Sequence, residues 1–204
     1  MITREGHSGF TLLELLISIA VLAIVISAAL PSFTDNAQTQ RLVGAAEQVY
    51  NHLQQARSEA IARSTDVYAN FDVDGSTTWT YGISSANSLC DLSVTSPTTA
   101  NACVIVVDDG DGTVDPGDGS VDSADLVLMR FSGTDYNDVS MDIASFSSGT
   151  TQFVFDPVRG TATSGQVNLT AANGKKARVK VSLLGRVVIC TPDGSLPNYS
   201  STGC

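Results

Sequence analysis

Residues 6–33 read GHSGFTLLELLISIAVLAIVISAALPSF. From Phe10 to Leu30 that stretch runs 21 residues with only Thr11, Glu14, Ser18 and Ser27 polar. About 20 such residues suffice for a helix to cross the hydrocarbon core of a bilayer. Glu14 is out of place there, because an ionised carboxylate at membrane depth costs on the order of a few kcal/mol unless it finds a partner. A cleaved secretory signal is the simplest alternative, with Arg4 as its basic region and SAALPS as its small-residue cleavage zone. Three features oppose it. The apolar run is longer than the core of an ordinary signal, an acid sits inside it, and the helical pattern continues past the point where cleavage would fall.

Beyond Pro31 the apolar residues Leu42, Ala45, Val49, Leu53, Ala56 and Ala60 recur at steps of three and four. That spacing places them on one face of an amphipathic helix. Arg41, Glu47, Arg57, Glu59 and Arg63 fall between them. The pattern predicts one long helix to about Arg63, apolar all round in its first half and one-sided in its second. Pro31 stands at the join, where loss of a backbone donor is expected to kink or loosen the helix.

These residues carry a specific resemblance. SGFTLLELLISIAVLAIVISAALPSF resembles the N-terminus of type IV prepilins and type II secretion pseudopilins. The resemblance implies cleavage by a prepilin peptidase between Gly9 and Phe10, N-methylation of Phe10, and an assembly role for Glu14, five residues into the mature chain. The family commonly has a basic residue just before the glycine, and this chain has REGHSG instead. In a filament of parallel helices, Glu14 has a natural partner in the charged α-amine of a neighbour's Phe10. Cleavage creates that amine, so processing and assembly would be linked. The alternative is an interfacial glutamate lying among lipid headgroups.

Past Arg63 the period changes from helical to alternating. VYANFDV and TTWTYGI, joined through DGS, read as a hairpin. CVIVV and DLVLMRF are apolar enough for buried strands, and TQFVFD, GQVNLT, ARVKVSL and GRVVIC follow. DPVRG and AANGKK supply turns. In the ARVKVSL strand, Val179, Val181 and Leu183 are expected on one face, with Arg178, Lys180 and Ser182 on the other. The predicted fold is α+β and pilin-like, a long N-terminal helix packed on an antiparallel β-sheet domain. Its parts are a leader (1–9), a membrane or filament-core helix (10–30), an amphipathic helix (31–63) and a periplasmic β domain (64–204).

RLVGAAEQVYNHLQQARSEAIARSTDV, FDPVRGTAT and GRVVICTPDG narrow the resemblance to the GspH/FimT group. It is strong at both ends of the chain and weak from about Asn87 to Ser148. It implies a minor pilin or pseudopilin rather than a filament's main subunit. The partners it implies are the prepilin peptidase, other pilins or pseudopilins, an inner-membrane assembly platform, and the membrane itself before assembly. The expected location is the bacterial inner membrane, crossed once, and then the filament. A type IV pilus and a type II secretion pseudopilus share the N-terminal motif equally.

Cysteines stand at 90, 103, 190 and 204, with no C-x-x-C. An even count behind a membrane-type N-terminus suggests disulfides in an oxidising compartment. Of three pairings, Cys90–Cys103 and Cys190–Cys204 are favoured because they close short local loops. Four free buried thiols are the other reading.

The chain's net charge is −10, which gives no bulk attraction to nucleic acid or anionic lipid. The charge is unevenly spread. Asp66 to Asp142 holds fourteen acids and one base, whereas from Ile143 onward there are two acids and six bases. VVDDGDGTVDPGDGSVDSAD places seven aspartates within residues 106–125. With Gly112 as the sixth residue of an EF-hand-like loop, Asp109, Asp111, Thr113, Asp115 and Asp118 take ligand offsets for Ca²⁺. Val107 would then hold the first position, and no terminal glutamate follows. A solvated, turn-rich loop is the plainer reading, and no other cofactor is expected. Lys175, Lys176, Arg178, Lys180 and Arg186 form a basic C-terminal group. Some FimT-type minor pilins bind incoming DNA through a Gly-Arg-x-Arg turn, but here the tetrapeptide is Gly185-Arg186-Val187-Val188, without the second arginine. A DNA-binding minor pilin for natural transformation is therefore the alternative, and an ordinary solvated hairpin the simpler account. No catalytic constellation is present: G-x-S-x-G, H-E-x-x-H and a phosphate loop are all missing. His52 is expected at the helix surface or in a groove.

Overall fold

The computed structural model describes residues 10–86, 88–107, 125–146 and 151–204. The chain divides into two compact units, Met1–Ala37 and Gln38–Cys204, and one helix, α1 (Leu12–Arg63), contributes to both.

In the first unit, Thr11 stands just before the helix and its hydroxyl accepts from the Glu14 N–H at 3.2 Å. That is the N-cap geometry of a T-x-x-E sequence, and it satisfies a donor the first turn cannot pair internally. Ser18 and Ser27 hide their hydroxyls by donating to the carbonyls of Glu14 (2.7 Å) and Ile24 (2.8 Å). Polar side chains within the apolar run are thus turned back onto the helix's own backbone. Helical backbone continues unbroken through Pro31.

In the second unit, α1 buries one stripe completely. Leu42, Ala45, Val49, Leu53, Ala56 and Ala60 are each 0% exposed, with Ala46 beside them. Small alanines alternating with large aliphatics let the helix lie close to the strands beneath it. The helix stops at Arg63, followed by Ser64 in the left-handed region (φ 55°), the usual way an α-helix terminates.

Strands β1 (Val67–Asp72), β2 (Thr80–Ser84), β5 (Arg130–Ser132) and β7 (Gln152–Phe155) form an antiparallel sheet in the order β5-β2-β1-β7. A second antiparallel sheet orders β10 (Val187–Cys190), β9 (Lys176–Val181), β8 (Gly165–Ala171) and β6 (Val139–Phe146) as β10-β9-β8-β6. A ribbon of β3 (Val104–Val106) and β4 (Leu126–Leu128) completes the unit. One core joins helix and sheets, with Trp79, Tyr81, Phe153 and Phe155 fully buried. Trp79 keeps its indole donor satisfied by the Val139 carbonyl at 2.9 Å.

The sequence reading and the structure part at three places. DLVLMRF is two strands rather than one. At Met129 the N–H still bonds the Cys103 carbonyl (2.8 Å) while the C=O already accepts from Ile83 (2.9 Å), so the chain changes sheets there. Residues 139–146, to which the sequence pattern assigns no element, form β6, with Val139 and Met141 buried at alternate positions. Leu183 is 64% exposed rather than on the core face, because β9 ends at Val181 and a turn begins, closed by Gly185 N–H on the Ser182 carbonyl.

Cys90 is bonded to Cys103 and Cys190 to Cys204. The first ties the loop after β2 to the start of β3. The second anchors the C-terminal tail to the end of β10.

Candidate functional site

From Phe10 to Leu30 the unit that ends at Ala37 exposes apolar side chains all round the helix. Phe10 (75% exposed), Leu12 and Leu13 begin it, and Leu15, Leu16, Ile17, Ile19, Val21, Leu22, Ile24 and Val25 continue it, all exposed. The apolar part of α1 is long enough to cross a membrane and none of it is buried. A helix apolar all round needs a lipid or protein environment on all sides. Glu14 lies in its first turn, exposed, and among the described residues its carboxylate makes no ion pair. Gly9 lies outside the described residues. Thr11, whose hydroxyl caps the helix, is a functional candidate that the sequence reading passed over; its T-x-x-E spacing to Glu14 was the available signal.

The three sequence stretches outside the N-terminus that carried the family resemblance meet at one point of the second unit. Arg57 of ARSEAIAR sends its Nη2 donor to the Leu184 carbonyl at 3.3 Å. Gly185 of GRVVIC (φ +70°) sits so close to Gly160 of FDPVRG that a Cβ on it would lie 2.1 Å from the Gly160 carbonyl oxygen and 3.0 Å from Arg57 Nε. The DPVRG turn is shaped by Asp156, whose carboxylate accepts from the N–H groups of Val158 (2.7 Å) and Arg159 (3.1 Å). Helix, β7–β8 turn and β9–β10 turn are thereby locked together.

The basic residues divide. Lys176, Arg178 and Lys180 alternate along β9 with buried Ala177, Val179 and Val181, so they share the outward face of the second sheet. Arg178 bonds Asn168 Oδ1 (2.7 Å), its cross-strand partner, and Lys180 donates to the Gly203 carbonyl (2.9 Å). Arg186 is exposed just before β10. Lys175 instead donates to Thr39 Oγ1 on α1 at 2.9 Å. Asp142 lies in the same cross-strand row as Asn168 and Arg178, and Asp193 lines the same depression as Lys176 and Arg178. The basic face is therefore interrupted by carboxylates.

Asp109, Asp111, Thr113, Asp115 and Asp118, the residues considered for Ca²⁺, lie outside the described residues. Among the described residues, no three His, Cys, Asp or Glu side chains gather where a metal ion would be held. His52 sits half-buried between helix and sheet, its Nδ1 2.8 Å from the Tyr81 hydroxyl and its ring stacked on Phe131 at 3.7 Å. Burial holds its pKa below 6.5. It is a packed core-edge histidine.

The protein-family model described as Type II transport protein GspH matches residues 45–185, which takes in the helix stripe from Ala45, strands β1 to β9 and the Arg57–Gly160–Gly185 junction. The chain belongs to the GspH family. The prokaryotic N-terminal methylation motif matches residues 6–30, the stretch with the Gly9–Phe10 pair and Glu14. Among solved structures, the chain is similar to the minor pseudopilin EpsH from the type 2 secretion system of Vibrio cholerae. The likeness is at 13% identity and a TM-score of 0.42, covering 72% of this chain and 94% of that one. No curated protein matches.

Proposed function

We propose that this GspH-family chain is a minor pseudopilin of a type II secretion system. A prepilin peptidase cuts it between Gly9 and Phe10, Phe10 is N-methylated, and residues 10–30 hold it in the inner membrane with the unit from Gln38 onward in the periplasm. The same helix then leaves lipid for the core of a pseudopilus, where it packs among the helices of other pseudopilins delivered by the assembly platform. The observation that carries this reading is the wholly exposed apolar helix with one carboxylate in its first turn, inside the matched methylation motif.

Glu14 makes the transfer directional. In lipid its charge lacks a partner and is costly, and beside a neighbour's methylated α-amine it gains a charge-assisted hydrogen bond in a low-dielectric setting. The two cystines suit a periplasmic location, where disulfides persist. The basic face fits DNA less well, since Asp142 and Asp193 interrupt it and Val188 stands where a second arginine would be.

The test is Glu14→Ala in cells carrying the whole system. The variant should insert and be cleaved as the parent is, yet fall at least tenfold in pseudopilus preparations. Normal incorporation would overturn this account of Glu14.

A further inference from the structure

Among the described residues from Gln38 onward, the large apolar side chains left exposed are Ile61, Leu89, Val127, Val158 (87%), Leu183 and Leu184 (76%). Leu89 and Val127 belong to the loop after β2 and to β4. The other four gather where α1 meets the two turns. A Cβ on Gly160 would lie 3.5 Å from Ile61 Cδ1. Val158 stands two residues before that glycine, in the same turn. Leu183 and Leu184 come just before Gly185, and the Leu183 carbonyl accepts from the Ala162 N–H at 3.1 Å. One apolar face therefore spans the helix end, the β7–β8 turn and the β9–β10 turn. It is hollow on one side, where Leu183 and Leu184 wall a groove of ≈ 540 Å³ with Phe146 and Val181. Single exposed apolar residues are ordinary, but a contiguous group marks a surface that another molecule covers.

The free charges around this face are of one sign. Arg159 stands exposed between Val158 and Gly160, and Lys180 lines the groove. Arg57 lies against both turns, with its Nε buried and without a hydrogen-bond partner among the described residues. None of the three forms an ion pair there. The carboxylates of the same elements are already engaged. Asp156 accepts from the N–H groups of Val158 and Arg159, and Glu59 is paired with Arg63 at 2.7 Å. Arg186 shares a separate groove with Glu47 and is left out of the count.

We infer that this face docks a partner protein through an apolar segment that carries at least one carboxylate. Apolar side chains of the segment enter the groove and cover Val158 and Leu184, while its carboxylate meets Arg159 and Lys180. A chain of net charge −10 that sets three unpaired cations beside its exposed apolar residues is complementary to a surface both acidic and apolar. An anionic bilayer fits less well, because lipid needs no groove of side-chain size and the chain's overall charge repels it. The inference concerns only the body from Gln38 onward, and it stands whether or not the N-terminus is processed as a pseudopilin's.

Photocrosslinking in the protein's own bacterium tests it, with Val158→p-benzoylphenylalanine in the full-length chain and Leu89→p-benzoylphenylalanine as the control. The Val158 position should give a protein adduct at least tenfold above the control. Mass spectrometry should map the adduct to a peptide with apolar residues and at least one Asp or Glu. Adding Arg159→Glu should cut the yield at least tenfold, and changing the mapped acid to Lys should restore it. Leu184→Ser leaves the carbonyl that holds Arg57 in place; it should keep the parent's melting temperature and lose the adduct at least tenfold. No adduct above the control overturns the inference, as does a mapped peptide without an acid or a yield indifferent to Arg159→Glu. An adduct to phospholipid assigns the face to a bilayer, and one to a second copy of this chain assigns it to self-association; either contradicts the inference.

Discussion

At the scale of single residues, the chain solves two problems of polar groups in apolar surroundings in opposite ways. Ser18 and Ser27 return their hydroxyls to the helix backbone and cease to matter to the exterior. Glu14 does not, and stays exposed. His52 is a third case, with burial lowering its pKa while the Tyr81 phenol, itself pushed up by burial, remains neutral. A histidine whose folded pKa lies below the unfolded value binds fewer protons when folded, so stability is full above about pH 6.5 and falls as pH drops below it. Denaturant melts between pH 7.5 and 5 should show that decline, and His52→Gln should flatten it within that window. The carboxylates held low by neighbouring hydroxyls and N–H groups, Asp74, Asp91 and Asp193, act at lower pH, where their stabilisation is lost as they protonate. An unchanged slope in His52→Gln would contradict the assignment to His52.

At the scale of elements, the junction of α1 with the two turns depends on a contact no side chain can share. Gly185→Ala places a methyl 2.1 Å from the Gly160 carbonyl oxygen at a positive φ. It should cost on the order of 2–4 kcal/mol and lower Tm by roughly 5–12 °C. Gly174→Ala, also at positive φ but with nothing within 4 Å, should cost only about 1–2 kcal/mol. Equal losses in the two would show that the Gly160 contact is not what makes Gly185 necessary. Removing the Cys190–Cys204 crosslink, whose partners are 14 residues apart, by Cys190→Ser with Cys204→Ser should cost about 3 kcal/mol. The helix stripe was legible from spacing alone because burial repeats along one face, and every residue named there is fully buried. Strand limits were less legible. Nothing in DLVLMRF announces that Met129 bonds two different sheets, since both halves are apolar and the change lies in the backbone's partners. Leu183 reads as core by alternation, and only the turn that begins after Val181 takes it out. The alternation of Val139 and Met141 with Ser140 and Asp142 was readable as a strand, but it lies within the stretch where family resemblance is weak. The convergence of Arg57, Gly160 and Gly185 belongs to tertiary structure and has no signature in sequence.

At the scale of the whole molecule, the two units meet different demands. In the first, residues 12–30 are helical and almost wholly apolar on the outside. The second is a disulfide-closed α+β body that buries its own core and presents charged faces. With a net charge of −10, charge gives the chain no general attraction to anionic lipid, so under the proposed function it is the apolar residues 10–30 that hold it in the membrane. Under the proposed function residues 10–30 stay with the mature chain as a pseudopilin's helix and are not discarded as a secretory signal. Mass spectrometry of the mature protein's N-terminus separates the two. The expected chain starts at Phe10 and carries one N-methyl group, and a mature chain starting near Leu30 would contradict the pseudopilin reading.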